Sequence, residues 1–333
     1  MYKGMKPKVF VTGCAGFIGS HYCEALLRQG YPVIGLDNFN NFYDPNVKEN
    51  NVLAVQQTAA KQGGTFVLIR GDIRDQGLIQ RSFLDHKPAI LVHLAAMAGV
   101  RSSLEKPALY SDVNNTGTVV VLEGARQAGI VSVVFASSSS VYGNGLTVPF
   151  SEEEDVDNPV SHYAATKRAG EIACRVYHNL YGLTIACLRF FTVYGPRQRP
   201  DLAINKFTHA IIDRKTISVF GDGTKRRDFT YIDDIVDGLS KAMLWTTKQP
   251  RPAYDIFNLG ESKTTSVNEL IALIEAALGA RARVKYCDDI PGDVQQTFAN
   301  IDKAKKHFGY APNTDIVEGI NKYVCWALEN RQK

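Results

Sequence analysis

Tyr163 and Lys167 are the two side chains whose spacing most clearly indicates chemistry. They lie four residues apart in a segment with helical periodicity, so both project from one face of the helix. An ammonium group near a phenol lowers its pKa, which is about 10 in a free tyrosine. A tyrosinate can take a proton from a substrate hydroxyl, and Ser138, which follows an apolar run, can hydrogen-bond the same oxygen. The pattern predicts proton transfer at a hydroxyl group.

The N-terminal glycines predict a dinucleotide site. Gly13, Gly16 and Gly19 in "TGCAGFIG" directly follow an apolar run and open a helical pattern. Small residues there let backbone N–H groups approach a pyrophosphate at the helix N-terminus. The next apolar run ends at Asp37, where a carboxylate accepts ribose hydroxyls and repels a 2′-phosphate. We therefore expect NAD rather than NADP, and the charge of oxidised nicotinamide would lower the Tyr163 pKa further.

These groups have to be positioned by a sheet. Solid apolar runs alternate with helical segments, which indicates a parallel sheet buried on both faces. The predicted strands are "KVFVT", "PVIGLD", "TFVLIRGD", "AILVHLAA", "VSVVFASS" and "TIACLRFF". The predicted fold is α/β: a doubly wound Rossmann parallel sheet with a smaller α+β substrate-binding lobe.

The alternation stops after Gly195, so we expect two lobes. Residues 1–195 would form the NAD-binding Rossmann domain, to which a segment at about 228–250 returns, and residues 196–333 the lobe that binds substrate. The second lobe is predicted from the helical patterns "KFTHAIIDRK" and "VNELIALIEAALG" and the strand and turn "ISVFGDG". Ligands of doubly wound sheets bind at the carboxyl ends of the strands, where this lobe would close a cleft.

Composition excludes several classes of function. The chain has 333 residues, of which 45% are hydrophobic and 22% charged, values typical of a soluble enzyme. A net charge of +4 without a long basic tract does not favour nucleic acid. The six cysteines form no CxxC pair, and we expect reduced thiols, no metal site and a cytoplasmic protein without signal peptide or membrane segment. His93 and His162 are expected to pack or hydrogen-bond rather than bind a ligand.

The sequence resembles the extended short-chain dehydrogenase/reductases over essentially the whole chain. The resemblance is carried by "TGCAGFIG", "LAA", "SSSSVYG", "YAATK" and "RDFTYIDDI". Within that superfamily, "DNFNNFYD", "AGVRSSLEKP" and "RFFTVYGPRQRPD" are most similar to UDP-glucuronate 4-epimerases. The resemblance implies tightly held, catalytic NAD⁺ without net redox change, a UDP-sugar substrate, and a homodimer formed through the helices around 105–126 and 162–181.

The resemblance also implies roles for individual residues. The catalytic set is Ser138, Tyr163 and Lys167. The cofactor-binding set is Gly13, Gly16, Phe17, Ile18, Gly19, Asp37, Asn38, Asp72, Ile73, Leu94, Ala95, Ala96, Asn114, Tyr163 and Lys167. The candidate substrate-binding set is Val100, Arg101, Ser139, Ser140, Phe191, Thr192, Arg199, Lys206, Phe207, Val219, Phe220, Arg227 and Asp293. Two positions depart from the pattern, because Met97 and Ser102 stand where many glucuronate epimerases have glutamine and tyrosine.

The serine run favours epimerisation over the related reactions. The 4,6-dehydratases resemble "TDEVYG" and the UDP-glucuronate decarboxylases "TSEVYG", whereas Ser139 and Ser140 occupy those positions here. Elimination then lacks an evident acid or base, and epimerisation needs neither. A 4-keto uronate loses CO₂ readily unless its carboxylate is held, and hydroxyls of Ser139, Ser140 and Thr192 with the charge of Arg199 could hold it.

Several alternatives remain open at this point. Arg199 could simply pair with Asp201. The substrate could be UDP-glucose or UDP-N-acetylglucosamine, since few polar contacts decide the preference. A 4-keto nucleotide-sugar reductase would use the same Ser/Tyr/Lys set with an exchangeable cofactor. A non-catalytic NAD sensor would share the glycine loop, but such proteins usually lose the Tyr/Lys pair.

Overall fold

The computed structural model describes residues 6–145, 147–289 and 294–331. Its strands are β1 (Val9–Thr12), β2 (Val33–Asp37), β3 (Phe66–Arg70), β4 (Ile90–His93), β5 (Ser132–Ser138), β6 (Thr184–Phe190), β7 (Thr192–Tyr194), β8 (Thr216–Phe220), β9 (Arg226–Arg227), β10 (Phe229–Tyr231), β11 (Tyr254–Leu259), β12 (Thr265–Ser266) and β13 (Arg283–Cys287). Its helices are α1 (Phe17–Arg28), α2 (Pro45–Gln62), α3 (Gln76–His86), α4 (Val100–Glu105), α5 (Pro107–Ser111), α6 (Gly117–Gln127), α7 (His162–Tyr181), α8 (Ala203–Ile212), α9 (Ile232–Lys248), α10 (Val267–Leu278), α11 (Asp302–Phe308) and α12 (Ile316–Arg331). A π-helical turn (Asp112–Thr116) joins α5 to α6, and a 3₁₀ turn (Ser139–Tyr142) follows β5.

The large sheet has seven parallel strands in the order β11-β6-β5-β4-β1-β2-β3. All six strands predicted from apolar runs are present, and the doubly wound fold is confirmed. Strands β1, β2, β4, β5 and β6 are buried at every residue, which explains why they have no polar alternation. Strand order reverses between β1 and β4, and at such a switch point loops diverge to leave a crevice for ligands.

Helices cover both faces of this sheet. Even-numbered residues of β5, such as Val134 and Ala136, pack in the core that contains α1 and α9. Odd-numbered residues, such as Val133 and Phe135, pack in the core that contains α3, α6 and α7. The two-residue alternation of a strand thus sends neighbouring side chains into different hydrophobic cores.

The chain crosses between the lobes more than once. β7 and β10 form a short parallel pair beside the sheet, after which α9 packs on β5 and β6 and β11 joins the sheet edge next to β6. The returning part therefore extends to Leu259, beyond the expected segment 228–250. "YDIFNL" mixes polar and apolar residues and is only partly buried, so it lacks the solid apolar signal of the other strands.

The smaller lobe contains both helices and short strands, in agreement with the predicted α+β pattern. The parallel pair β8–β13 and the antiparallel pair β9–β12 lie beside α8, α10 and α12. α10 begins at a capping box formed by Ser266 and Glu269 and ends at Gly279 in the left-handed conformation, so local sequence defines both its ends. Across the described ranges, we find no helix with the length and apolarity to span a bilayer.

Candidate active site

The glycine loop leaves a concave backbone surface at the start of α1. A methyl group on Gly19 would lie 2.0 Å from the carbonyl oxygen of Gly13, so only glycine allows this close turn. Gly13 itself has a φ of 73°, which favours glycine. Among the described residues, no side chain caps α1 at Gly16. The N–H groups of its first turn, from Phe17 onward, can therefore bind an anion.

Asp37 lies at the end of β2 beside this loop. Its buried carboxylate accepts the N–H of Ala15 at 3.1 Å and the N–H of Phe39 at 2.8 Å. The ammonium of Lys48, on α2, lies 3.7 Å from Asp37 Oδ1. Sequence reasoning missed Lys48. The expected preference for NAD rests on repulsion between the Asp37 carboxylate and a 2′-phosphate. The positive charge of Lys48 partly offsets that repulsion.

Asp72 and Ile73 follow β3 on the same edge of the sheet. Asp72 accepts hydrogen bonds from Arg74 at 2.8 Å and from the amide of Asn38 at 2.9 Å, and the Arg74 bonds lower its pKa to about 2. Ile73 is buried against Gly117 at the start of α6, where an added methyl would clash with it. Asn38, Asp72 and Ile73 therefore lie together on one side of the site. Arg74, which bonds Asp72, was not identified from the sequence.

Asn114 holds other parts of the site in place. Its amide accepts the Met97 N–H at 2.8 Å, donates to the Met97 carbonyl at 3.0 Å and donates to Thr166 Oγ1 at 2.9 Å. It thereby ties the loop after β4 to α7. Asn114 was expected to contact the cofactor, and these bonds give it a positioning role as well. Thr166 was missed because nothing in its local sequence singles it out.

Leu94, Ala95 and Ala96 form the start of that loop. The N–H groups of Leu94 and Ala95 both donate to Thr12 Oγ1 at 3.1 Å. Thr12 is also hydrogen-bonded to His93, whose other ring nitrogen meets Thr118 Oγ1 at 3.1 Å. Burial lowers the His93 pKa to about 3, so the ring is neutral and links β1, β4 and α6. His93 is thus a hydrogen-bonding residue, as the sequence analysis expected.

Ser138, Tyr163 and Lys167 meet at the carboxyl end of β5. Ser161 caps α7 by accepting the Ala164 N–H at 3.1 Å, which starts the helix at His162 and places Tyr163 in its first turn. Ser138 lies near enough to the Tyr163 hydroxyl to lower the Tyr163 pKa, while its own Oγ donates to Ser140 Oγ at 3.0 Å. Lys167 Nζ donates to the carbonyl of Ala136 at 2.8 Å and lies 5.9 Å from the centre of the Tyr163 ring.

Burial governs the electrostatics of this trio. Burial raises the pKa of Tyr163, and the opposing effects come from the Ser138 hydrogen bond and the charge of Arg199 rather than from Lys167. Burial also lowers the pKa of Lys167 to about 8, against the opposing charge of Glu171. The expected lowering of the Tyr163 pKa included the positive charge of a bound oxidised nicotinamide as well as that of Lys167, and it stays a prediction. An additional positive charge from a bound cofactor would be needed to favour the tyrosinate.

Arg199 lies beside the trio and is paired with a carboxylate. Its Nε and Nη2 donate to Asp201 at 2.9 and 2.6 Å, and the guanidinium lies 5.2 Å from the centre of the Phe42 ring. The alternative that Arg199 pairs with Asp201 is what the structure contains. Its charge nevertheless acts on Tyr163, so the guanidinium is close to the proposed reaction centre.

The other candidate substrate residues lie on several elements of both lobes. Ser139 and Ser140 are half-buried in the 3₁₀ turn, where Ser140 Oγ accepts from Ser138 Oγ at 3.0 Å. Phe191 packs against Tyr142, and Thr192 is half-buried in β7. Val100 opens α4, and the guanidinium of Arg101 lies 4.8 Å from the centre of the Phe220 ring, so this pair bridges the two lobes.

The remaining candidates belong to the smaller lobe. Lys206 and Phe207 lie on α8, and Arg227 Nη1 donates to the carbonyl of Arg226 at 2.8 Å and to that of Gln295 at 3.3 Å. Val219 is 1% exposed and packs in the core, so only its backbone can face a ligand. Asp293 lies outside the described residues.

Comparisons with known proteins agree with this geometry. A family model described as the NAD dependent epimerase/dehydratase family matches residues 9–260. A UDP-glucuronate 4-epimerase of Thermodesulfobacterium geofontis is 42% identical, and the alignment covers 96% of each chain.

Two solved structures extend the comparison. A UDP-glucuronic acid 4-epimerase from Bacillus cereus, in complex with UDP-glucuronic acid and NAD, superposes with a TM-score of 0.89 at 34% identity, covering 97% of this chain and 99% of that one. A UDP-glucose 4-epimerase from Thermotoga maritima with UDP-glucose gives a TM-score of 0.85 at 30% identity, with the same coverage.

Proposed function

The chain belongs to the NAD-dependent epimerase/dehydratase family, and from that premise we propose that it interconverts UDP-glucuronate and UDP-galacturonate by inverting C4. Ser138, Tyr163 and Lys167 meet at one strand end, while the adjoining Ser139 and Ser140 supply no carboxylate. This combination carries the proposal, because it provides an acid–base group for a hydroxyl without an acid or base for elimination.

The residues of the glycine loop fit a dinucleotide. The cradle around Gly13 and Gly19 leaves no room for side chains, and the uncapped start of α1 offers N–H donors to a pyrophosphate. We propose that Asp37 binds the adenosine ribose and Lys167 the nicotinamide ribose. NAD⁺, when bound, accepts the hydride from C4 and returns it to the opposite face of the 4-keto sugar. We propose that it stays bound throughout turnover, so that the reaction has no net redox change.

Tyr163 takes and returns the proton of the C4 hydroxyl. Ser138 would hydrogen-bond the same oxygen, and Lys167 Nζ lies 5.9 Å from the centre of the Tyr163 ring. The tyrosine returns the same proton whichever face the hydride approaches, so a single base serves both halves of the epimerisation.

Arg199 holds the uronate carboxylate. To do so, Arg199 gives up or shares its hydrogen bonds with Asp201, its present partner. The hydroxyls of Ser139, Ser140 and Thr192 donate to the same uronate carboxylate. A held carboxylate keeps its C–C bond out of line with the carbonyl π system, which suppresses loss of CO₂ from the 4-keto sugar. Val100, Arg101, Phe191, Lys206, Phe207, Val219, Phe220, Arg227 and Asp293 would enclose the UDP moiety.

The existing Arg199–Asp201 pair also favours a second candidate function. If the guanidinium remains with Asp201, it offers no charge to a carboxylate, and the cleft suits UDP-glucose or UDP-N-acetylglucosamine. Met97 and Ser102, which depart from the glucuronate pattern near the substrate loop, point in the same direction.

One experiment separates these functions. Purified protein is incubated with UDP-glucuronate, and in parallel with UDP-glucose and UDP-N-acetylglucosamine, and the sugars are followed by NMR. We expect UDP-galacturonate as the product, without added NAD. UDP-xylose alone, or no turnover, would refute the proposal, and faster turnover of a neutral sugar would establish the second candidate.

We further propose that the protein is a cytoplasmic homodimer. Within each subunit, residues 1–195 and the returning segment would form the large lobe, and the rest of 196–333 would form the small lobe. The dimer is supported by Ile172, Val176 and Leu180, three apolar side chains at helical spacing on α7 that are 45–66% exposed.

A further inference from the structure

Glu171 occupies a buried position behind the reaction centre. It is 0% exposed, and its carboxylate accepts Arg189 Nε at 2.9 Å and Arg189 Nη2 at 3.0 Å. Ser137 Oγ donates to the same carboxylate at 2.6 Å, and Arg168 Nη1 at 3.3 Å. None of these four residues other than Ser137 was singled out by sequence reasoning, because they become neighbours only when α7, β5 and β6 pack.

The pair formed by Glu171 and Arg189 is costly as a purely structural device. Arg189 is 1% exposed, and its Nη1 has no hydrogen-bond partner among the described residues. Removing two charges from water often costs as much as their attraction returns, and apolar residues of similar volume would serve stability equally well. The position of the charge therefore calls for another explanation.

The geometry links Glu171 to all three catalytic side chains. Tyr163, Lys167 and Glu171 follow one another at four-residue spacing on α7 and so share a face of the helix. In the pairing of β5 with β6, Ser137 lies opposite Arg189, and the next residue of β5 is Ser138. Glu171, which is hydrogen-bonded to both Ser137 and Arg189, thus holds the strand pair at the register immediately before Ser138.

The charge of Glu171 also acts on Lys167. Burial lowers the Lys167 pKa to about 8, and Glu171 is the largest opposing influence, followed by Cys174 on the same helix. His93, facing Lys167 from β4, is neutral. Glu171 in turn faces Arg168 on α7 and Arg189 on β6, and the Tyr254 hydroxyl on β11 donates to its backbone carbonyl.

We propose that Glu171 is a positioning residue of the proposed epimerase: it fixes α7 against the strand end that carries Ser138 and places a carboxylate one helical turn from Lys167. The role in turnover rests on the proposed function. The charge of Lys167 does not, and can be measured without substrate.

The test compares variants that separate charge from hydrogen bonding. Glu171→Gln with Arg189→Gln removes both charges, so that no buried cation is left unpaired. Ser137→Ala removes one hydrogen bond and keeps the charges, and Glu171→Asp keeps the charge on a shorter side chain. The Lys167 titration is followed by ¹³C NMR of ε-labelled lysine, assigned by its loss in Lys167→Met.

We expect Lys167 in the double variant to titrate lower than in the wild type, by less than the roughly one pH unit typical of losing a lone opposite charge, because the charge of Arg189 is removed together with that of Glu171. The alkaline limb of the kcat profile should move by the same amount. Ser137→Ala and Glu171→Asp should titrate as wild type, with kcat reduced in Glu171→Asp by misalignment.

Two results would overturn the inference: an unshifted Lys167 titration in the double variant, or the same shift in Ser137→Ala. If the double variant fails to fold, Glu171→Asp provides the test. A Lys167 titration in Glu171→Asp that is shifted as far as expected for loss of the carboxylate charge would count against the inference. A wild-type protein that does not epimerise, combined with the expected titration shift, would refute the proposed function and leave the effect of Glu171 on Lys167 intact.

Discussion

Tyr163 lies between two cationic side chains that reach it from different parts of the chain. Lys167 comes from its own helix and Arg199 from the loop after β7. Burial raises the phenol pKa, and within the protein only Ser138 and Arg199 oppose it. The reactive form of the site is therefore determined by what it binds, since the protein alone keeps the phenol protonated.

Replacing Tyr163 tests the acid–base role. Tyr163→Phe should lower kcat by about 10²–10⁴-fold, the usual contribution of a positioned acid–base group, with co-purified NAD unchanged. Turnover is measured by NMR and NAD by absorbance after denaturation. Tyr181→Phe, a half-exposed tyrosine on the same helix, is the control and should match the wild type. Retention of most of the activity in Tyr163→Phe would show that another group is the base.

Arg199 and Asp201 give a test with opposite signs. Arg199→Ala should raise KM for UDP-glucuronate about tenfold, the effect of losing roughly one charge-assisted bond, and should release decarboxylated sugar. Asp201→Asn frees the guanidinium and should leave KM equal or lower. Product analysis and initial rates are measured for both variants. If the Arg199–Asp201 pair had only a structural role, KM would increase by a similar factor in both variants.

At the scale of elements, the start of α1 and the loop after β7 position the ligands. The glycine loop depends on the contact between Gly13 and Gly19, while Arg197, with a φ of 64°, joins the loop of Arg199 to α1 through Glu24 at 2.6 Å. Helix α1 thus supports the glycine loop at its N-terminus and the loop that carries Arg199 along its side.

The glycine cradle predicts the effect of a single methyl group. Gly19→Ala places that methyl 2.0 Å from a backbone oxygen, so the loop must open, and we expect loss of bound NAD and of activity. Gly77→Ala, in the first turn of α3, meets the flexible tip of Arg81 at 3.1 Å and the Asp75 carboxylate at an ordinary contact distance of 3.5 Å, and it serves as the control. NAD content and thermal unfolding measure both, and wild-type NAD content in Gly19→Ala would contradict the cradle.

At the scale of the whole molecule, α7 carries both the proposed catalytic residues and the proposed dimer interface. One face carries Tyr163, Lys167 and Glu171 towards the sheet, and the face with Ile172, Val176 and Leu180 is exposed. An apolar stripe on a long helix is typical of a protein interface. Dimerisation through α7 would therefore restrain the helix that carries the base.

A charge in that stripe tests the dimer. Val176→Asp should convert the protein to a monomer, because an unpaired carboxylate cannot be buried in an apolar interface without a large cost. Leu328→Asp on α12 is the matched control, since Leu328 is 44% and Val176 45% exposed. Light scattering after gel filtration gives the mass, and a monomeric wild type or a dimeric Val176→Asp would exclude this interface.

The sequence alone determined the features that arise within one segment. Five of the six predicted strands are buried at every residue and so are recognisable as solid apolar runs, and the partly exposed β3 is also mostly apolar. The glycine loop and the Tyr163–Lys167 pair are recognisable because their spacing is local. Strand β11 escaped notice because half of it is only partly buried and carries mixed residues.

Tertiary structure decided what depends on residues far apart in the chain. The bonds of Asn114 to Met97 and Thr166, the anchoring of Arg197 on Glu24, and the charge of Glu171 beside Ser137 and Arg189 leave no periodic trace in the sequence. Burial raises the pKa of Tyr163 in the protein alone, because desolvation is set by everything packed around a group. The sequence therefore determined the chemical groups and their local order, while packing set their charges and partners.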